Sequence, residues 1–261
     1  MSAVYVSMIV LEDFSKAYGR HKAVEHLCFT AESSSVTALA GLNGAGKTTV
    51  LKAVCGIHRA DSGRVLVNGI NVAENPVENA GQIGFMSEQS AFPPFFTVYE
   101  FLYHEAQIIF AAEKKSRFAG GTEFTDTRRK MLSALDRVIV LCDLETLADR
   151  KIASLSNGEK RRTALARSLL SDPSVLVLDE PASSLDPKQS AHMRELIAEL
   201  GKTKTVLFST HLIHEMQNLC DKIVILHKGR LAAEGTVAQL CDQAGVSGLE
   251  KAFLHITGKE S

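Results

Sequence analysis

Residues 35–49 read SVTALAGLNGAGKTT, an apolar run that breaks into a glycine-rich turn and then opens a helical pattern. The turn fits G-x-x-x-x-G-K-[ST] in full. It runs from Gly41 through Leu42, Asn43, Gly44, Ala45, Gly46 and Lys47 to Thr48, with Thr49 beside it. A strand before the loop and a helix after it are the context such a loop needs to hold phosphate. Gly41, Gly44 and Gly46 are expected to let the backbone curl so that successive N–H groups point inward. The following helix adds positive partial charge at its N-terminus. Lys47 is then expected to reach β- and γ-phosphates, and Thr48 to offer its hydroxyl to Mg²⁺. The competing reading is a strand-to-helix turn with an accidental lysine, and the correct flanking elements argue against it.

A metal held beside phosphate needs further oxygen from a neighbouring strand. SVLVLDE (174–180) has four consecutive apolar residues, as in a strand buried on both faces, and closes on Asp179 and Glu180. Asp179 is expected to bind Mg²⁺ through water. Glu180 is expected to point at the γ-phosphate, where a carboxylate can position or deprotonate an attacking water. Alone, the acid pair would only end a strand before Pro181. TVLFST (205–210) ends next to His211. Ligands in open α/β sheets bind beyond the carboxyl ends of the strands, so His211 is expected near Glu180 as a donor to phosphate.

Strand and helix patterns alternate around these segments. SVTALA (35–40) precedes TTVLKAVCGIH (48–58), SVLVLD (174–179) precedes PKQSAHMRELIAELGK (187–202), and TVLFST precedes HLIHEMQNLC (211–220), before KIVILHKG. The alternation predicts an α/β core with a mostly parallel sheet flanked by helices. IVLEDFSKAYG, VEHLCFTAE and RVLVNGINV instead alternate with period two, with turns at 61–63 and Asn68-Gly69, and predict an antiparallel β patch. Residues 98–152 read as helices with a polar loop at Phe118–Thr127, an inserted α-helical subdomain. The expected organisation is one domain over 1–261. Core and β patch occupy about 1–97 and 160–240, the helical subdomain about 98–159, and a short tail 241–261.

The 261 residues carry a net charge of −1, which gives no bulk electrostatic reason for a nucleic-acid partner. Apolar runs such as VLVL and IVIL are far too short to span a bilayer, and MSAVYVSMIVLEDF lacks the pattern of a signal peptide. Five scattered cysteines without C-x-x-C spacing read as reduced, mostly buried thiols, and neither they nor the nine histidines have zinc-site spacing.

One stretch stands apart. LSNGEKRR (155–162) precedes the acid-tipped strand by a dozen residues. Ser156 and Glu159 have the S-x-x-E spacing of a capping box, so the stretch starts a helix, KRRTALARSLL, that Asp172-Pro173 stops. Whether its exposed N–H groups also hold an anion is open on the spacing alone.

Taken together, the motifs resemble those of the nucleotide-binding subunit of ATP-binding cassette (ABC) transporters, over nearly the whole chain. They occur in family order: an aromatic (Tyr18), Walker A (GLNGAGKTT), a Q-loop region (IGFMSEQ), the signature (LSNGE), Walker B (SVLVLDE), a D-loop (SSLD, 183–186) and an H-loop (STH). The resemblance implies ATP and Mg²⁺ as ligands and a head-to-tail dimer, homomeric or heteromeric. In that dimer, Leu155, Ser156, Asn157, Gly158 and Glu159 would serve the partner's ATP. It also implies that Tyr18 stacks on adenine, that Glu180 and His211 are catalytic, and that Ser184, Leu185 and Asp186 form the D-loop. No transmembrane segment is visible, so the implied permease is a separate polypeptide. The cassette would then be cytoplasmic, peripheral on the inner face of the cell membrane. The motif style resembles exporter-type cassettes. Asn157 stands where glycine is commonest in the family, and Glu159 where glutamine is. Glu88 stands where glutamine usually touches the metal, with Gln89 the alternative if the register slips by one. The competing function is a soluble ABC ATPase acting on ribosomes, nucleic acid or protein assembly. A small-molecule kinase gives LSNGE no role.

Overall fold

The computed structural model describes residues 8–116 and 124–258. Its centre is a six-stranded sheet. Strands β3 (Val36–Gly41), β6 (Ile83–Met86), β7 (Val175–Asp179), β8 (Thr205–Thr210) and β9 (Lys222–His227) run parallel, and β10 (Arg230–Gly235) pairs antiparallel with β9 at one edge. The order is β10-β9-β3-β8-β7-β6. The second sheet is antiparallel, in the order β2-β1-β4-β5, from β1 (Ile9–Tyr18), β2 (His21–Ala31), β4 (Ser62–Val67) and β5 (Ile70–Asn71). Both expected sheets are therefore present. The β4–β5 turn has positive φ at Asn68 and at Gly69, as a two-residue hairpin turn requires.

Period-two alternation sorts the parallel strands into two cores. Leu39, Val175, Val177, Leu207, Val224 and Leu226 pack with α1 (Lys47–Val54) and the antiparallel sheet. Their neighbours Ala38, Ala40, Leu176, Leu178, Val206, Phe208, Ile223 and Ile225 face the other way, into a core shared with the helices. Those helices are α3 (Val98–Ser116), α4 (Phe124–Leu141), α5 (Asn157–Ser168) and α6 (Pro187–Gly201). The short α2 (Pro76–Ala80) lies before β6. The C-terminal α8 (Val237–Ala244) and α9 (Leu249–Ile256) place Leu240, Leu249 and Phe253 in the helical core. No helix among the described residues is long and apolar enough to cross a membrane.

Four sequence expectations need correction. The helix expected over 48–58 ends at Val54, because Gly56 takes a left-handed φ of 70° and closes the last turn. The helix expected over 211–220 shrinks to α7 (Ile213–Met216). There the Thr210 hydroxyl accepts the Leu212 N–H and donates to the buried Glu215, which keeps Leu212 extended. The polar loop expected over 118–127 overlaps α4, which already begins at Phe124; residues 117–123 lie outside the described residues. Only Cys142 among the cysteines is fully buried, and Cys28 is exposed on β2.

Candidate nucleotide site

Because β8 separates β3 from β7, three strand ends lie side by side at one rim of the parallel sheet: Ala40 aligns with Thr210, and Ser209 with Asp179. The phosphate loop leaves β3 at this rim and enters α1 through Gly46, whose φ of 104° only glycine adopts freely. A Cβ on Gly46 would also meet the Ala23 carbonyl oxygen at 2.7 Å. Gly44 has a φ of 79°. Gly41 differs from the expectation, because its backbone is not left-handed. Its lack of a side chain serves close packing, since a Cβ would lie 2.7 Å from the Leu226 carbonyl oxygen.

The loop borders a cavity of about 470 Å³. Asn43, Gly44, Ala45, Gly46, Lys47, Thr48 and Thr49 line it, together with Tyr18, His21, Ala23, Glu88, Glu180 and His211. Gly41 and Leu42 contribute carbonyl oxygens instead: Lys47 Nζ donates to Gly41 O at 2.8 Å and to Leu42 O at 3.5 Å. Lys47 is only 7% exposed, and its ammonium lies 3.5 Å from Glu180 Oε1. Phosphate oxygens entering the loop compete with these oxygens for the same charge.

Asp179 and Glu180 share a local scaffold that the sequence reading did not include. Ser209, fully buried at the end of β8, donates its hydroxyl to Asp179 Oδ1 at 2.6 Å. The same Oγ accepts the Glu180 backbone N–H at 2.9 Å. Glu180 itself has a φ of 48°, a conformation that costs a non-glycine residue about 1–3 kcal/mol and is held here by the surrounding bonds. Its Oε2 lies 2.9 Å from His211 Nδ1. Thr48 Oγ1 approaches Asp179 Oδ1 at 3.4 Å. Lys47, Glu180 and His211 therefore form one contact chain, and Thr48 with Asp179 a pair of hard oxygens beside it.

Tyr18, 44% exposed, ends β1 with its ring edge-on to His58 at 5.6 Å between centroids. Asp61 steadies this corner by accepting from Lys16 Nζ and the Ala17 N–H, both at 2.7 Å. His21 pairs directly with Tyr18 across the β1–β2 hairpin and joins it in the cavity wall. The two-residue Gly19-Arg20 turn was the available signal for that pairing. Glu88 reaches the cavity wall and Gln89 does not.

The remaining predicted residues lie elsewhere on the chain. Ser156 is the N-cap of α5 and accepts from the Glu159 N–H, while Glu159 Oε2 accepts the Ser156 N–H at 2.7 Å. The capping box is thus complete. Burial pushes the Glu159 carboxyl up, but the Ser156 bonds and the Arg150 and Arg162 charges outweigh it and hold the carboxyl below its usual range. Leu155 and Gly158 are buried, Ser156 and Asn157 exposed. Ser184 has a φ of 62°, Leu185 packs against the helical core, and Asp186 caps α6 by accepting from the Lys188 and Gln189 N–H groups at 3.0 Å. None of Leu155–Glu159 or Ser184–Asp186 lines the cavity.

Comparison with known proteins bears directly on this geometry. The family model described as ABC transporter matches residues 24–183. The Nod factor export ATP-binding protein I of Rhizobium etli is 33% identical over 245 residues, covering 92% of this chain and 72% of that protein. The uncharacterized ABC transporter ATP-binding protein YxlF of Bacillus subtilis is 32% identical over 236 residues, covering 90% and 73%. A solved structure of an ATP-binding subunit of an ABC transporter superposes with a TM-score of 0.78 at 26% identity, over 96% of this chain and all of that one. With a glycine-rich phosphate loop, an acid-tipped strand and a capped LSNGE helix in that setting, the chain belongs to the ABC transporter family and is an ATP-binding, ATP-hydrolysing subunit of such a transporter.

Proposed function

We propose that this subunit works as one half of a head-to-tail pair of cassettes that closes over two ATP molecules and drives export through a separate membrane permease. The observation that carries the pairing is the position of LSNGE. Its capped helix N-terminus is exposed at Ser156 and Asn157 but takes no part in the cavity of its own chain. Exposed N–H groups at a helix start suit a phosphate. Head-to-tail packing supplies one from the partner.

Within each half, the loop N–H groups and Lys47 bind the β- and γ-phosphates, and Tyr18 stacks on the base. Glu180 orients and accepts a proton from the attacking water. His211, whose Nδ1 lies 2.9 Å from Glu180 Oε2, serves as a hydrogen-bond donor to the γ-phosphate. The oxygens of Thr48, Asp179 and Glu88 fit Mg²⁺, which favours hard oxygen ligands and keeps waters and phosphate in its shell. When bound, the ion neutralises charge on the leaving phosphate.

Residues 98–159 act as the helical subdomain and 241–261 as a tail. The segment after Glu88 is the proposed permease contact. It breaks at Pro93-Pro94 and leaves Phe95 81% exposed, just before α3. A cassette docked there on the permease lies at the inner face of the cell membrane. Export as the direction is supported by relatives named for export, and no nucleic-acid partner is proposed.

Glu180→Gln tests the pairing. It removes the proton acceptor but keeps the shape, so two chains should remain joined by unhydrolysed ATP. Light scattering should show an ATP-dependent dimer of the variant, and adding Ser156→Arg should abolish it. A Glu180→Gln protein that stays monomeric at saturating ATP, alone and with its co-expressed permease, refutes the pairing.

A further inference from the structure

Helix α5, whose first residues are LSNGE's last three, also reaches back to the nucleotide site of its own chain. It packs against β6, and just over a turn beyond Ser156 the Arg161 Nη1 donates to the Glu88 carbonyl oxygen at 2.6 Å. Those two residues are 73 positions apart in the chain. Glu88 in turn lines the nucleotide cavity with Lys47 and Glu180. Arg161 is partly buried. Burial weakens its hold on the proton, while the carboxylates of Glu88, Glu180 and Asp179 strengthen it, so all three lie within its field. An arginine remains charged under either influence.

Without it, negative charge at the rim outweighs positive further. Asp179, Glu180 and Glu88 bring three carboxylates to the site, and among the described residues Lys47, 3.5 Å from Glu180, is the one lysine or arginine in the cavity wall. A triphosphate adds more negative charge. We propose that Arg161 acts in cis on the nucleotide of its own chain: it is a positioning residue that holds the loop at the Glu88 carbonyl and supplies counter-charge to the carboxylates and the triphosphate gathered at the rim. The same helix then serves two nucleotides, with its N-terminus facing the partner's and Arg161 its own. This rests on the nucleotide reading above.

The test is equilibrium binding of a fluorescent ATP analogue to the full chain, in EDTA and in excess Mg²⁺. A unit charge at this range in a partly screened site predicts that Arg161→Gln weakens Mg²⁺-free binding about fivefold. Arg161→Lys keeps the charge and should stay within about twofold of the parent. Glu88→Gln should tighten binding. The double variant Glu88→Gln/Arg161→Gln, with the net charge restored, should return to within about twofold of the parent. Excess Mg²⁺ should shrink all these differences, since the ion screens the same carboxylates.

If Arg161→Lys loses as much as Arg161→Gln, or the double variant is as weak as Arg161→Gln alone, the counter-charge role is wrong. Lys47→Ala, measured alongside, separates the two levels of argument. If it weakens binding at least tenfold while the Arg161 series is flat, only this inference fails. If it leaves binding unchanged, the nucleotide assignment fails with it.

Discussion

Replacing Ser209 by alanine removes one oxygen and disturbs both carboxylates of the site. The hydroxyl donates to Asp179 Oδ1 at 2.6 Å and accepts the Glu180 N–H at 2.9 Å. Ser209 is wholly buried, and Asp179 and Glu180 are 2% and 7% exposed, so water does not readily take its place. A hydrogen bond to a charged group contributes about 1.5–3 kcal/mol, and an orphaned buried N–H costs about 1–3 kcal/mol. Allowing for partial relaxation, Ser209→Ala should destabilise the fold by about 3 kcal/mol. With a denaturant slope of about 3 kcal/mol per molar, the urea midpoint should fall by about 1 M. The catalytic effect is separate. Glu180 holds a left-handed φ of 48° partly through this bond, and the proposed mechanism needs its carboxylate aimed at the phosphate. Loss of that aim should lower kcat at least about tenfold. Ser209→Cys, close in shape and with a weak S–H donor, should fall between parent and alanine in both assays. Urea titration followed by circular dichroism, with phosphate release measured under saturating MgATP, provides both numbers. A midpoint shift under about 0.3 M together with an unchanged kcat would show that this hydroxyl neither braces the fold nor aims Glu180.

Other perturbations probe separate parts of the argument. Tyr18→Ala should weaken nucleotide binding about three- to tenfold while Tyr18→Phe changes it little, because the stacking face and not the hydroxyl is used; equal losses in both would point to the hydroxyl instead. Burial pushes the Glu215 carboxyl up, against the hydrogen bond from Thr210, and its Oε1 has no hydrogen-bond partner among the described residues. Its folded pKa is therefore above the unfolded one. The ionised carboxyl costs stability above the folded value, and the cost vanishes as pH falls below the unfolded value. Glu215→Gln should accordingly stabilise the protein by about 1 kcal/mol near pH 8, with the gap closing toward pH 4; a gap that widens on acidification contradicts the sign. Ser156→Ala breaks the capping box and should cost about 1 kcal/mol in thermal or urea unfolding without ATP, and an unchanged midpoint would mean that α5 is held by packing alone.

Much of this protein is legible in short stretches. The phosphate loop is a local object: its glycines, lysine and threonine lie within nine residues, and backbone sterics decide its shape. The capping box spans four residues and forms between a hydroxyl and an N–H that helix geometry brings together. Period-two alternation marked the antiparallel sheet, and unbroken apolar runs such as VLVL marked the parallel strands, because each of those strands feeds two cores. What depended on tertiary structure were the meetings of residues far apart in the chain. Strand order put β8 between β3 and β7, and so made Ser209 the bridge between Asp179 and Glu180. Hairpin register brought His21 to Tyr18 in the cavity wall. The packing of α5 on β6 set Arg161 on the Glu88 carbonyl, and Glu88, not Gln89, lies in the cavity wall. The Thr210–Glu215 bond cut α7 to less than the helix its pattern promised. Local sequence specifies dihedral preferences and which face is apolar. Partners across strands and helices are decided only when the two cores close together, since every residue's long-range contacts depend on where all the other elements have packed.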